Sequence, residues 1–128
     1  MPLRDTIKIM VVDDMTISRQ LITMGLDKMG VKNVVPMPGP QAALKTLETT
    51  PVHLIISDYN MPGMDGLEFL LALRKSERTR KVGFIMVTGE HDPVVADLGK
   101  RLGMHNYLKK PFNDAGLKNC IEAVTGPL

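Results

Sequence analysis

The chain has 128 residues but only one cysteine, no tryptophan and five other aromatic residues. A single thiol, Cys120, cannot form a disulfide within the chain, which fits a reducing compartment. There is no run of about 18 uninterrupted apolar residues, so a membrane-spanning helix is excluded. The first residues also lack the apolar run of a secretory signal. We expect a cytoplasmic protein in which residues 1–128 form one domain with a buried core.

The net charge is also small, +2, because the 16 basic residues are nearly balanced by 14 acidic ones. The densest basic segment, residues 74–81, falls at a predicted helix end, where cations are favoured by the helix dipole. A nucleic-acid-binding protein would show a basic stripe along one face. The composition therefore favours a protein that binds neither nucleic acid nor membrane.

Short apolar segments alternate with amphipathic ones along the whole chain. We predict strands at residues 7–12, 32–37, 54–57, 82–87 and 106–108, and helices at residues 15–29, 40–47, 66–75, 91–102 and 113–124. Five βα units imply a parallel sheet covered by helices on both faces. Pro36 cannot donate to a ladder, so the second strand belongs at an edge. This predicts a doubly wound (βα)5 three-layer sandwich, flavodoxin-like, with parallel strand order 2-1-3-4-5.

Three smaller expectations concern residues outside the strand ends. The methionines of the first predicted helix, residues 15–29, are expected to fill the core. Residues 126–128 are expected to be a frayed tail. His53, His91 and His105 lack metal-ligand spacing and read as surface or loop residues, and Cys120 reads as an inert thiol.

Polar residues follow four of the predicted strands: Asp13 and Asp14, then Asp58, Thr88 and Lys110. In the predicted strand order these strand ends are neighbours at one edge of the sheet, where open α/β folds bind ligands. One aspartate could simply cap the following helix. Three carboxylates together repel one another unless a cation neutralises them, and oxygen ligands suit Mg²⁺. The sequence therefore predicts a magnesium site.

Thr88 and Lys110 add a hydroxyl donor and an ammonium group to these carboxylates. Such a set stabilises the charge that develops in phosphoryl transfer. The chain has no glycine-rich phosphate loop, so the nucleophile should be a side chain, and a carboxylate can form an acyl phosphate.

These segments resemble the receiver domains of two-component response regulators, and among them the stand-alone chemotaxis regulators of the CheY type. The resemblance rests on the segments Val11-Val12-Asp13-Asp14, Ser57-Asp58-Tyr59-Asn60-Met61-Pro62-Gly63-Met64-Asp65-Gly66, Val87-Thr88-Gly89 and Tyr107-Leu108-Lys109-Lys110-Pro111-Phe112. They occur in the family's order and spacing over nearly the whole chain. Each segment alone is a weak signal, whereas the combination is specific.

The resemblance implies a role for each residue of the site. Asp58 would be the phosphoacceptor, and Asp14 and Asp58 would ligate Mg²⁺ together with the backbone carbonyl of Asn60. Asp13 would act on the metal largely through water. Lys110 and Thr88 would contact the phosphoryl group, and the peptide bond between Lys110 and Pro111 would be cis.

The resemblance also implies a switch and its partners. Thr88 would move toward the phosphoryl group and Tyr107 would rotate inward, which would change the face formed by the fourth helix, fifth strand and fifth helix. Asn60 and Glu90 would tune hydrolysis of the acyl phosphate. A histidine kinase would supply the phosphoryl group and a flagellar motor switch protein would be a possible target, with the regulator itself a monomer.

Other functions stay open at this level. The last helix, residues 113–124, is less basic than the motor-binding helix of well-known CheY proteins, so a phosphate sink or relay is an alternative to motor binding. An aspartyl phosphatase is a third reading, but Asn60 stands where such enzymes place an acid/base and cannot shuttle a proton. A flavodoxin-like cofactor binder would need a phosphate loop and more aromatics. We therefore expect no enzymatic activity beyond the protein's own phosphorylation and dephosphorylation.

Overall fold

The computed structural model describes residues 1–90 and 92–128, and its five parallel strands form one sheet in the order β2-β1-β3-β4-β5. The strands are β1 (Lys8–Val12), β2 (Asn33–Met37), β3 (Leu54–Asp58), β4 (Gly83–Thr88) and β5 (Asn106–Lys109). The helices are α1 (Leu3–Thr6), α2 (Thr16–Lys28), α3 (Pro40–Leu47), α4 (Gly66–Lys75), α5 (Pro93–Arg101) and α6 (Asp114–Thr125). The predicted doubly wound, flavodoxin-like order is confirmed.

Two apolar clusters lie on opposite faces of the sheet and make the three-layer arrangement. Successive side chains of a strand point to opposite faces, so β1 contributes Ile9 to one cluster and Met10 to the other. The first cluster packs beneath α2 and α6, and the second beneath α3 and α4. Strands buried on both faces are the reason for the near-continuous apolar runs in the sequence.

The second strand is an edge strand, as its proline predicts. Pro36 lies opposite Val11 in the pairing of β2 with β1, and no described strand pairs with β2 on its other side. The missing N–H of a proline is harmless at such an edge.

Polar side chains start three of the helices at or near the predicted positions. Asp65 and Glu68 form a reciprocal capping box at α4, Asp92 accepts hydrogen bonds from the first turn of α5, and Asn113 caps α6. The helix predicted from residue 91 therefore begins at Pro93, and His91 lies outside the described residues.

His53 and His105 both bind the starts of strands, at the amino-terminal edge of the parallel sheet. Nδ1 of His53 accepts a hydrogen bond from the Lys8 N–H at 2.9 Å, and Nδ1 of His105 accepts one from the Phe84 N–H at 3.1 Å. Both are loop residues, as expected, and both supply an acceptor to a strand end. Partial burial and then the nearby charge of Arg74 lower the pKa of His105 below its usual value, which keeps Nδ1 available as an acceptor.

The expectation that methionines of the first long helix fill the core is wrong for Met15 and Met24. Their exposed fractions are 61% and 55%, because α2 buries its opposite side through Ile22 and Leu26. Ile17 and Leu21 are exposed on the same outward side as Met24, at helical spacing.

Hydrogen bonds connect the last residue to residues of the first and last helices, so the expectation of a frayed tail is also wrong. The Leu128 carbonyl accepts hydrogen bonds from the backbone N–H of Arg4 at 3.4 Å and from its guanidinium at 3.5 Å. The Leu128 N–H donates to Glu122 Oε2 at 2.8 Å. The short helix α1, which was not predicted, brings Arg4 to this position.

The guanidinium of Arg74 ties the end of α4 to two loops. It donates hydrogen bonds to the carbonyls of Thr79 and Val82 on one loop, and to those of Leu102 and Gly103 at the end of α5. One planar side chain thus supplies donors to four loop carbonyls together.

We predict that Arg74→Met lowers the free energy of unfolding by about 2–3 kcal/mol, because the loop carbonyls lose a charged donor while the aliphatic stem is kept. Urea denaturation followed by circular dichroism measures this change. The matched control is Lys75→Met at the exposed neighbouring position, which should leave the midpoint unchanged. Equal effects of the two variants would contradict the role of Arg74.

Candidate functional site

The predicted acidic cluster is present at the carboxyl edge of the sheet. Val12 of β1 pairs with Ser57 of β3, so Asp13 and Asp58 follow at adjacent strand ends, and both are buried. Asp14 is exposed beside them. One carboxylate oxygen from each of the three residues lies within 4.8 Å of the others, which is close enough for a shared metal ion.

Asp13 holds its carboxylate in a way that leaves one oxygen for a cation. Its Oδ1 accepts a hydrogen bond from the Met15 N–H at 3.0 Å, and its backbone carbonyl accepts one from Arg19 at 2.7 Å. Its Oδ2 is buried and accepts no hydrogen bond from the described residues. A buried carboxylate oxygen without a donor is costly, so the cluster fits a hard divalent cation with oxygen ligands such as Mg²⁺. Asp13 therefore belongs to the carboxylate cluster, whereas the alternative of a helix cap is wrong for it, because α2 starts at Thr16 without a side-chain cap.

Lys110 reaches the cluster from the far side of β4. Its Nζ lies 3.2 Å from Asp58 Oδ1 and 3.9 Å from Asp13 Oδ2, and it donates a hydrogen bond to Ser18 Oγ at 2.9 Å. Its backbone N–H donates to the Thr88 carbonyl at 2.7 Å, which fixes the start of the side chain. The peptide bond from Lys110 to Pro111 is cis, as the family resemblance implies.

The charge of Asp58 is disfavoured where it stands. Burial raises the pKa of its carboxyl above the ordinary value, the ammonium of Lys110 acts in the opposite direction, and the negative charge of Asp13 adds to the increase. Lys110 therefore compensates part of the cost of holding two buried carboxylates together.

Thr88 and Tyr107 share one hydrogen-bond acceptor, the backbone carbonyl of Glu90. The Thr88 hydroxyl donates to it at 3.2 Å and the Tyr107 hydroxyl donates to it at 2.8 Å. The Glu90 N–H donates back to Thr88 Oγ1 at 3.3 Å. The two residues of the predicted switch are thus connected through the loop after β4.

The loop after Asp58 is shaped by its glycines. Gly63 has φ of 83°, a left-handed conformation that glycine adopts without strain. A Cβ at Gly66 would lie 2.9 Å from the Asp58 carbonyl oxygen, so α4 can begin directly against the acidic residue. Asn60 and Glu90 are both exposed.

Two residues of the site were not predicted from the sequence, Ser18 and Arg19. Both belong to the first turns of α2 and look like ordinary polar residues of an amphipathic helix. Only the position of α2 against the sheet brings Ser18 to Lys110 and Arg19 to the Asp13 carbonyl.

The raised pKa of Asp58 predicts a pH-dependent stability. A carboxyl group whose pKa is higher in the folded state favours folding when protonated, so this contribution is lost as the pH rises from about 4 through the folded pKa. Asp58→Asn removes the charge, and with a chelator present it should be more stable than the wild type at neutral pH. The difference should shrink toward pH 4, because the wild-type carboxyl then becomes neutral as well.

Urea denaturation at a series of pH values measures this difference. Asp27→Asn removes an exposed carboxylate of α2 and serves as the control. A variant at Asp58 that is less stable than the wild type at neutral pH would contradict the electrostatic account.

Comparison with known proteins agrees with this geometry. The family model of the response regulator receiver domain matches residues 9–122. A probable chemotaxis protein CheY of Rhizobium etli is 38% identical over 128 residues, covering 100% of this chain and 99% of the relative. The chemotaxis protein CheY1 of Helicobacter pylori is 32% identical over 120 residues, covering 93% of this chain and 97% of the relative.

A solved structure has the same arrangement. The chemotaxis response regulator CheY4 of Vibrio cholerae superimposes with a TM-score of 0.86 at 32% identity, covering 94% of this chain and 99% of that one. The chain therefore belongs to the response regulator receiver domain family of two-component signalling, and chemotaxis proteins of the CheY type are among its relatives.

Proposed function

We propose that this protein is a phosphorylation-controlled switch of a chemotaxis pathway. Asp58 accepts a phosphoryl group from a histidine kinase in the presence of Mg²⁺, and a face of the protein then changes shape for a protein partner. This face is formed by α5, β5 and α6, which are the fourth helix, fifth strand and fifth helix of the sequence prediction. The observation that carries the proposal is the approach of Lys110 to Asp58, at 3.2 Å, beside two further carboxylates.

The acidic cluster provides the cation site of this proposal. Asp13, Asp14 and Asp58, with the backbone carbonyl of Asn60, would hold Mg²⁺. The metal would supply positive charge that offsets the repulsion between the carboxylates and an incoming phosphoryl group. The buried Oδ2 of Asp13, which accepts no hydrogen bond within residues 1–90 and 92–128, supports this assignment.

The chemistry at Asp58 follows from the surrounding side chains. A carboxylate oxygen of Asp58 attacks phosphorus, and the bond between phosphorus and the donor's imidazole nitrogen breaks as the new P–O bond forms. Lys110 contributes an ammonium that attracts the phosphoryl oxygens, and Thr88 contributes a hydroxyl donor. The product is an acyl phosphate on Asp58, which water can hydrolyse.

The protein is not an enzyme for a separate substrate in this proposal. Asn60, two residues after the nucleophile, has an amide that cannot act as a general acid or base. Its exposed position, together with that of Glu90, fits a role in tuning the access of water to the acyl phosphate.

The shared carbonyl of Glu90 explains how phosphorylation reaches the surface. A phosphoryl group brings a charge of about −1.5 to −2 and strong acceptor oxygens, which attract the Thr88 hydroxyl. When Thr88 turns toward that group, its hydroxyl gives up the hydrogen bond to the Glu90 carbonyl, while the Tyr107 hydroxyl keeps its own. The modification thereby biases a two-state equilibrium of the loop after β4.

The outward side of α5 supports a protein partner rather than storage of phosphate alone. Val94 and Leu98 are exposed by 65% and 42% on this helix, next to the loop that carries Glu90. The flagellar motor switch protein is the target we propose, and failure of that binding with intact phosphorylation would favour the sink or relay.

Phosphorylation is tested by mass spectrometry after incubation with Mg²⁺ and acetyl phosphate. We predict a labile gain of one phosphoryl group on the wild type and none on Asp58→Ala, because the acceptor carboxylate is then absent. Excess chelator should prevent the gain, since the carboxylate cluster then lacks its cation.

Asp27→Ala is the matched control, because it removes an exposed aspartate of α2 and should keep the full gain. Equal labelling of wild type and Asp58→Ala would mean that another residue is the acceptor. No labelling of any variant at any Mg²⁺ concentration would contradict the proposed function.

The coupling through Glu90 is tested with Tyr107→Phe. Phosphorylation should stay within about twofold of the wild-type rate, because the hydroxyl lies outside the acceptor site, while amide shift changes at Val94 and Leu98 should shrink. Nuclear magnetic resonance spectra with and without acetyl phosphate measure both quantities. Full wild-type shift changes in the variant would show that the Tyr107 hydroxyl does not transmit the signal.

A further inference from the structure

We propose that Ser18 is a positioning residue for Lys110 in phosphoryl transfer, an inference that rests on the proposed function. Its hydroxyl accepts a hydrogen bond from Lys110 Nζ at 2.9 Å, which is shorter than the 3.2 Å contact of the same nitrogen with Asp58 Oδ1. The Lys110 ammonium is thus held between the neutral hydroxyl of Ser18 on α2 and the carboxylate of Asp58, the proposed phosphoacceptor.

The reach of this hydrogen bond distinguishes Ser18 from an ordinary helix hydroxyl. Thr23, on the same helix, donates to the Gln20 carbonyl of its own turn. Ser18 instead bonds a residue 92 positions away in the chain, across the carboxyl edge of the sheet. Ser18 and Lys110 both line a cavity of about 540 Å³.

The position of Ser18 is itself fixed relative to the acidic cluster. The next residue, Arg19, donates to the Asp13 carbonyl at 2.7 Å. Consecutive residues of α2 therefore attach the helix to two residues of the site, to the backbone of Asp13 through Arg19 and to the ammonium of Lys110 through Ser18.

The physical effect is preorganisation of a flexible cation. A lysine side chain loses rotamer entropy when it is fixed, and its ammonium has three N–H donors. Ser18 and Asp58 each accept one of them, and the third can meet a phosphoryl oxygen. A donor that is already in place costs no reorganisation when charge develops on that oxygen.

The test compares Ser18→Ala, Ser18→Thr and the control Thr23→Ala by the rate of acetyl phosphate-dependent phosphorylation in Mg²⁺. Loss of one hydrogen bond to a charged group should slow Ser18→Ala roughly three- to tenfold. Ser18→Thr restores a hydroxyl at the same position and should recover most of the rate. Thr23→Ala should react at the wild-type rate.

A double-mutant cycle shows whether Ser18 acts through Lys110. In a Lys110→Met background, Ser18→Ala should slow phosphorylation by less than about 1.5-fold, because there is no ammonium left to position. A merely structural role of Ser18 would slow both backgrounds equally. Independently of activity, the ε-methylene of isotope-labelled Lys110 should become more mobile in Ser18→Ala without Mg²⁺ or phosphate.

The outcomes separate this inference from the proposed function. A wild type that is phosphorylated together with an equally fast Ser18→Ala overturns the role of Ser18 alone. A slower Ser18→Ala whose Lys110 is as rigid as in the wild type also overturns it. A wild type that acetyl phosphate never modifies overturns both proposals.

Discussion

The constraint on which this structure depends is the burial of like charges at adjacent strand ends. Parallel pairing of β1 with β3 places Asp13 and Asp58 side by side, and both are almost inaccessible to water. Water cannot screen their repulsion there, so the protein compensates it with Lys110 and leaves an oxygen of Asp13 for a cation. A site that is costly when empty gains most from binding positive charge.

Supplying that compensation requires the rest of the sheet and α2. Lys110 follows β5, two strands away from Asp58, so its side chain has to pass the end of β4. The backbone bond from Lys110 to Thr88 fixes the start of this path, and Ser18 lies where the side chain ends. The same strand end carries Thr88, whose hydroxyl is bound to the loop that also anchors Tyr107. The end of β4 therefore connects the site around Asp58 with the face formed by α5, β5 and α6.

The sequence predicted the parts of the molecule that depend on strand periodicity. Apolar runs ending in Asp13, Asp58 and Thr88 indicated buried parallel strands, and the edge position of β2 followed from Pro36. It could not predict contacts set by the rotation of a helix about its own axis. Ser18 meets Lys110 and Met24 faces outward for that one reason. Hydrophobicity alone suggested a buried Met24, but the inward side of α2 is filled by Ile22 and Leu26.

The contact between Arg4 and Leu128 makes the backbone almost a closed ring, because the N–H of one and the carbonyl of the other lie 3.4 Å apart. The order of the elements along the chain can then be changed without changing their arrangement in space. A short glycine linker between the ends, with new ends opened in the turn between α3 and β3, would give a circular permutant with the same strand order. Its acceptor edge would be far from both new ends, since that turn lies at the opposite side of the sheet.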